Sequence, residues 1–264
     1  ITTEYTELVP EDATEFRTVA EAYIAQGYNI IFGTTFGYLD AMEEMAKEYP
    51  DVIFLHCSGY KMNDTNFGNY FGKMYQPRYL SGLVAGSVTE SNKIGYVAAF
   101  PIPEVIRGIN AFAQGVKETN PDATVEVVWT FTWFGPEAET QAANALLETG
   151  ADVLAQHQDS PATGIAAEAA GAKWISYNTA YGQDSAPDAF LTAPVWDWGP
   201  YYVEVVEAIV DGSFVPEAYW GGMETGLVSL YELSDGIPRT VEQLVNEKNM
   251  EILSGSFDPT IVRI

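Results

Sequence analysis

From residue 29 to residue 210, short apolar runs alternate with stretches of helical spacing, and this alternation restricts the fold more than any other feature of the chain. Its clearest unit is KIGYVAAFPIPEVIRGINAFAQG, residues 93–115. Residues 94–99 form an apolar run rich in β-formers. Pro101 and Pro103 close it before Val105, Ile109, Phe112 and Val116 recur at helical spacing, which predicts strand, loop and helix. The same rhythm predicts strands at 29–32, 52–57, 124–130, 153–156, 173–177 and 190–194, with helices at 39–49, 137–148, 163–170 and 200–210 between them. Residues 66–74 read as an exposed strand or hairpin, and 77–88 as a helix of small residues. A terminal helix over 240–253 begins with a Thr-x-x-Gln capping box at Thr240 and Gln243. Strands and helices in this order make an α/β fold with parallel sheets, helices on both faces, and ligand sites at the carboxyl ends of the strands.

At 264 residues the chain can hold one large or two small α/β domains with real cores. No window approaches the roughly 18 uninterrupted apolar residues of a membrane span. The 37 acidic and 12 basic residues give a net charge of −25. Such a surface repels phosphate backbones, so nucleic acid is not an expected partner. Solubility is the first consequence of that charge, and attraction of cationic ligands a lesser one. Cys57 is the one cysteine, which excludes an internal disulfide and a multi-thiolate metal site. Its place in the run VIFLHC predicts a buried, inert thiol. The chain lacks a P-loop, a Gly-x-Ser-x-Gly elbow and a His-Glu-x-x-His helix. The two histidines, His56 and His157, both end predicted strands, where hydrogen bonding is a more common role than catalysis or metal binding. No catalytic residue, metal or cofactor is therefore expected.

The predicted strand-exit loops carry Phe36, Tyr60, Trp133 with Phe134, Asp159 with Ser160, Asn178, and Trp196 with Trp198. Aromatic rings beside a few carboxylate and amide groups suit a flat, neutral ligand, stacked on its faces and read at its edges. Each ring taken singly could equally be packing. Their shared position at strand ends makes the set more informative than its members.

The stretches YVAAFPIPEVIRGINAF, FGTTFGYLD, QHQDSPA, TAPVWDWGPYYV and YWGGM together resemble the basic membrane protein family of ABC-transporter substrate-binding lipoproteins, over nearly the whole chain. The tryptophan-rich pattern is similar to members that bind purine bases such as adenine. The resemblance implies a type I periplasmic-binding-protein fold, in which two doubly wound parallel-sheet lobes are joined by three hinge crossings and close on a ligand between them. The crossings are expected near Ser91 and Asn92, Ala193 and Pro194, and Phe214 and Val215. That puts residues 1–92 and 194–214 in the first lobe, and 93–193 and 215–264 in the second. Family members begin with a strand and loop ahead of the segment that starts at Ile1, so the first lobe is expected to lack its initial strand. At Met223, Glu224, Thr225 and Gly226, nucleoside-binding relatives carry an Asp-Gly pair that grips ribose. Thr225 stands at the aspartate position, which favours a bare base.

The resemblance thus implies a non-enzymatic receptor, monomeric and lipid-anchored outside the cytoplasmic membrane, that delivers a purine to an ABC permease. Trp133 and Trp196 are the expected stacking residues, with Phe36 and Tyr60 as first-lobe walls and Tyr75 contributing from the same lobe. Asp159 and Asn178 are expected to read the ligand edge, because a carboxylate accepts from an exocyclic amine and an amide both donates and accepts. A purine nucleoside receptor and, further off, a nucleoside-processing enzyme are the alternatives. Reporting to a sensor instead of a permease would use the same lobe closure.

Overall fold

The computed structural model describes residues 1–259 and divides into two compact α/β units. The last residues of the expected second lobe, 260–264, lie outside the described residues. Unit 1 comprises Ile1–Gly72 and Gly199–Gly221, and unit 2 comprises Lys73–Trp198 with the chain from Gly222 on.

Residues 1–10 form no strand. Helix α1 (Ala13–Ala25) starts at Asp12, whose carboxylate accepts from the backbone N–H groups of Thr14 and Glu15. Those amides have no partner within the first turn, so the cap satisfies them. Strand β1 (Ile30–Gly33), helix α2 (Leu39–Glu48), strand β2 (Ile53–Cys57) and strand β3 (Phe67–Gly72) follow. In place of an exposed strand or hairpin, β3 is buried along its whole length and pairs in parallel with β2. Its glycines explain the misleading pattern: Gly68 lies where an added Cβ would come within 3.1 Å of the Glu217 carbonyl oxygen. Cys57 is only partly buried.

The chain then enters unit 2 with α3 (Tyr75–Val88), β4 (Lys93–Ala98), α4 (Pro103–Thr119), β5 (Thr124–Trp129), α5 (Pro136–Glu148), β6 (Val153–His157), α6 (Ala162–Ala169), β7 (Lys173–Ile175), the single turn α7 (Gly182–Ser185), β8 (Phe190–Thr192) and β9 (Pro194–Trp196). It returns to unit 1 for α8 (Gly199–Asp211) and β10 (Ala218–Gly221), then ends in unit 2 with β11 (Val228–Leu230) and α9 (Arg239–Leu253). Unit 1 holds a parallel sheet of order β1-β2-β3-β10, with β1 at one edge. Unit 2 holds a parallel sheet of order β5-β4-β6-β7-β8 and a small antiparallel pair, β9 with β11. Helix α9 begins at Arg239 behind Pro238, which leaves Thr240 inside the first turn and not at the cap.

The chain changes unit at 72/73, 198/199 and 221/222, not near 91–92, 193–194 and 214–215 as expected. Helix α3 accounts for the first shift. A Cβ on Gly82 would lie 2.1 Å from the Phe112 carbonyl oxygen, and one on Gly115 2.1 Å from that of Tyr79, so α3 and α4 meet backbone to backbone. Only glycine allows that approach. Ser91 and Asn92 instead make the tight α3–β4 turn, where the Asp152 carboxylate accepts from the N–H groups of Glu90 and Ser91 and from the Thr89 hydroxyl.

Each unit has its own apolar core. Phe16, Met42, Met45, Phe54 and Phe67 are among the buried residues in unit 1. Val97, Leu146, Leu154, Trp174 and Phe190 are among those in unit 2. Among the described residues no helix is long and apolar enough to cross a membrane, and no group of three or more His, Cys, Asp or Glu side chains is placed to hold a metal ion.

Candidate ligand-binding site

In unit 2 the chain runs from β4 to β5 on one side and then to β6 on the other, so the sheet reverses its winding direction at β4. The loops that leave such strands diverge and open a crevice at the carboxyl ends, the usual place for a ligand in a doubly wound sheet. Trp133 follows β5 and Asp159 follows β6, and the Asp159 N–H donates to the Trp133 carbonyl at 3.0 Å. The Asn178 amide then donates to Asp159 Oδ1 at 2.6 Å. Finally, the Trp196 N–H donates to the Asn178 carbonyl at 3.3 Å. Four residues from four chain segments are therefore joined in one connected set, in the order Trp133, Asp159, Asn178, Trp196.

Local structure explains how each is held. Asn178 has φ +69°, the left-handed region that asparagine tolerates better than most residues, and forms a single parallel bridge to Val195. Trp196 ends strand β9, where it pairs with Val228, and does not lie in a loop as the sequence pattern suggested. The Trp198 ring stacks on Trp196 at 4.6 Å with 15° between planes. Trp133 meets Phe100 at 5.3 Å and His157 at 6.0 Å between ring centroids. Trp133, Trp196 and Asn178 are half-buried and Asp159 is exposed.

The other predicted residues each have a setting of their own within their unit. Tyr75 opens α3 in unit 2, not in the first lobe, and its hydroxyl donates to Asp258 Oδ2 at 3.1 Å. Burial, reinforced by the Asp258 carboxylate, holds its phenol well above the usual range. Phe36 lies in unit 1, in a 3-10 turn after β1, where Glu11 accepts from the Thr35 hydroxyl and from the Gly37 N–H. His56 Nε2 pairs with the Thr35 carbonyl at 2.9 Å and so steadies the same loop. Tyr60 is 74% exposed in the loop after β2. Thr225 spends its hydroxyl on its own turn, donating to the Gly222 carbonyl at 2.9 Å.

Beneath the four joined residues lie groups that the sequence pattern did not single out. Tyr177 is buried, and that burial holds its phenol well above the usual range. The Tyr177 ring is 4.4 Å from His157 and 4.0 Å from the guanidinium carbon of Arg78. Burial, with the Arg78 charge adding to it, holds His157 below its ordinary range, while the Glu104 carboxylate, 3.6 Å from Nε2, opposes the shift. An arginine inside YQPRYLSGLVAG, a stretch with no other charged residue, was the available signal for a buried cation.

A family model described as Bmp, ABC transporter substrate-binding protein PnrA-like, matches residues 1–257. A protein of Haloferax volcanii named as an ABC transporter glucose-binding protein is 45% identical over 262 residues, which cover 96% of this chain and 66% of that one. A purine-binding protein of Brucella abortus is 38% identical over 264 residues, covering 98% of this chain and 73% of that one. Among solved structures, an ABC transporter solute-binding protein from Aeropyrum pernix superposes with a TM-score of 0.82 at 17% identity, over 97% of this chain and 83% of the other. That likeness carries the fold alone, and the fold is the two-lobed type I periplasmic-binding-protein architecture.

Proposed function

The chain belongs to the Bmp family of PnrA-like ABC transporter substrate-binding proteins, and from that premise we propose that it is a receptor for a purine base, adenine before others. It works outside the cytoplasmic membrane as a lipid-anchored monomer and hands its ligand to an ABC permease, with no chemistry of its own. The observation that carries the purine reading is the connected set in unit 2, where a carboxylate and an amide lie between two tryptophans in the order of contact. Trp133 and Trp196 supply stacking faces. Asp159 accepts from an exocyclic amine, and Asn178, whose amide already holds Asp159, keeps that carboxylate aimed. Phe36 and Tyr60 in unit 1 and Tyr75 in unit 2 are proposed ligand contacts of lesser weight.

A hexose is the second reading, because the Haloferax volcanii relative is named for glucose. Aromatic faces serve sugars too, but each sugar hydroxyl needs a polar partner once it leaves water. A set with two polar side chains and two indoles suits a heteroaromatic ring better. Calorimetric titration with adenine, adenosine and glucose, side by side, tests the choice. Heat from adenine with none from glucose supports the purine reading, and the reverse overturns it. Tighter binding of adenosine than of adenine would move the assignment to a nucleoside.

A further inference from the structure

The three residues that follow β6 each donate to the segment that leaves β5. Gln158 Nε2 donates to the Thr130 hydroxyl oxygen at 2.5 Å, the Asp159 N–H to the Trp133 carbonyl at 3.0 Å, and the Ser160 hydroxyl to Glu139 Oε2 at 2.6 Å. The last of these ties is the unexpected one. Glu139 lies in α5, where a glutamate normally faces water, yet it has 0% exposure. Its other oxygen, Oε1, accepts from the N–H of Gly135, two residues beyond Trp133, at 3.0 Å. Ser160, itself buried, also accepts from the Ala162 N–H at 3.2 Å, at the start of α6. The two donors to Glu139 are a neutral amide and a neutral hydroxyl, and burial pushes its carboxyl up despite them. A buried carboxylate held by neutral groups costs stability that an apolar side chain would not.

We infer that Glu139 is a positioning residue of the ligand site: its carboxylate locks the exit loop of Asp159, through Ser160, to the exit loop of Trp133, through Gly135. The role needs an acceptor at both oxygens, which an ionised carboxylate offers and an amide does not. Trp133 is thereby held on both sides, with Thr130 fastened before it and Gly135 after it, and Asp159 is held in the same way between Gln158 and Ser160. Gln156, in β6, stiffens the second loop. Its Nε2 donates to the carbonyls of Gln158 at 3.0 Å and Ser160 at 2.8 Å, and its Oε1 accepts from the Trp174 indole at 2.9 Å. Glu139 thus acts on the site through its neighbours and not by contact with a ligand.

This inference rests on the purine reading for its consequence, but its first test does not. Ser160→Ala is the decisive variant, because it removes the tie between the loops and leaves the Gly135–Glu139 bond of α5 in place. In nitrogen-labelled, ligand-free protein it should lower the backbone order parameter of Trp133 from about 0.85, a rigid value, toward about 0.6. That of Trp174, in β7, should not change. Glu139→Gln, which turns one acceptor into a donor at nearly constant shape, should loosen Trp133 likewise, and it carries the test if Ser160→Ala fails to fold. Adenine dissociation constants should rise roughly two- to thirtyfold in each variant, the range for a residue that acts on a site without touching the ligand. The double variant should bind about as weakly as either single one, since both break the same tie. A Trp133 that is mobile in the native protein, or equally rigid in a folded variant, overturns the inference, and so does unchanged adenine affinity with lowered stability. If native protein binds no purine, the function proposed above fails, and the order parameter alone still decides the role of Glu139.

Discussion

The strand-exit loops of the two units are held in different ways. In unit 2, two backbone hydrogen bonds and one between side chains join Trp133, Asp159, Asn178 and Trp196, with buried Tyr177, His157 and Arg78 beneath them. In unit 1, Phe36 rides on a 3-10 turn fastened by Glu11, and Tyr60 projects into solvent at 74% exposure. The charge differs too: unit 1 has 16 acidic and 3 basic side chains, and the larger unit 2 has 21 and 9. Binding geometry built in advance costs less ordering at the moment of binding. The candidate residues of unit 2 are therefore preorganised, whereas Tyr60 in unit 1 is a side chain free to adapt.

The largest effect expected from a single substitution strikes the frame of unit 2. Gly82→Ala forces a Cβ against the Phe112 carbonyl at 2.1 Å, and a backbone atom cannot swing aside. Urea melts should show a loss of about 3 kcal/mol, the upper range for overpacking. Gly27→Ala in unit 1 meets nothing within 4 Å and suffers only from φ +93°, so about 1 kcal/mol is expected there. Equal losses would mean that α3 and α4 part easily, and that α3 does not anchor unit 2.

A smaller effect separates two groups within unit 2 by pH. Burial and Arg78 depress His157 from 6.5, so its native state holds fewer protons than the unfolded chain. Its contribution is complete above 6.5 and is lost as pH falls toward the lowered native value. For Asp152, burial acts upward from 3.8, but the hydrogen bonds from Thr89, Ser91 and Glu90 outweigh it and the net shift is downward. Its contribution is complete above 3.8 and is lost only below that. Stability measured by denaturant melts should therefore begin to fall between pH 7 and pH 5. His157→Gln should flatten that limb, while Asp152→Asn should leave it in place. An unchanged slope in His157→Gln would show that the imidazole is not held neutral by its surroundings.

The smallest effect belongs to Tyr60. Replacing an exposed ring by alanine should change stability by no more than about 0.5 kcal/mol. A loss several times larger in a denaturant melt would make Tyr60 a structural residue and erase the contrast between the two units.

Much of this architecture could be read from residue order. Pro103 at the start of α4 and the apolar run of β4 are local signals, and both elements fall where the pattern put them. Positions that depend on partners far along the chain were harder to read. Ser91 and Asn92 have the composition of a turn, and nothing local tells a turn inside one unit from a crossing between two. The deciding contact, Gly82 against Phe112, joins residues thirty positions apart. FGNYFG looks like an exposed strand because glycine carries no apolar side chain, yet β3 is buried by neighbours on both sides. Aromatic and polar residues in exit loops were easy to nominate as binding groups. Tyr177 and Arg78 were not, because a buried residue beneath a strand end looks, in sequence, like any other core position.

On the proposed function, the joined tryptophans of unit 2 face a ligand and do not serve as core packing. A paired measurement on Trp133→Ala and Trp196→Ala, adenine titration by calorimetry and a denaturant melt on each, tests it directly. Loss of one stacking face is worth roughly 1 to 3 kcal/mol, or about five- to 150-fold in dissociation constant. Stability should fall by less than the about 3 to 5 kcal/mol typical of a core tryptophan cut to alanine. Weakened binding with near-native stability in both variants is the predicted result. A core-sized loss of stability with unchanged affinity in both would contradict the account.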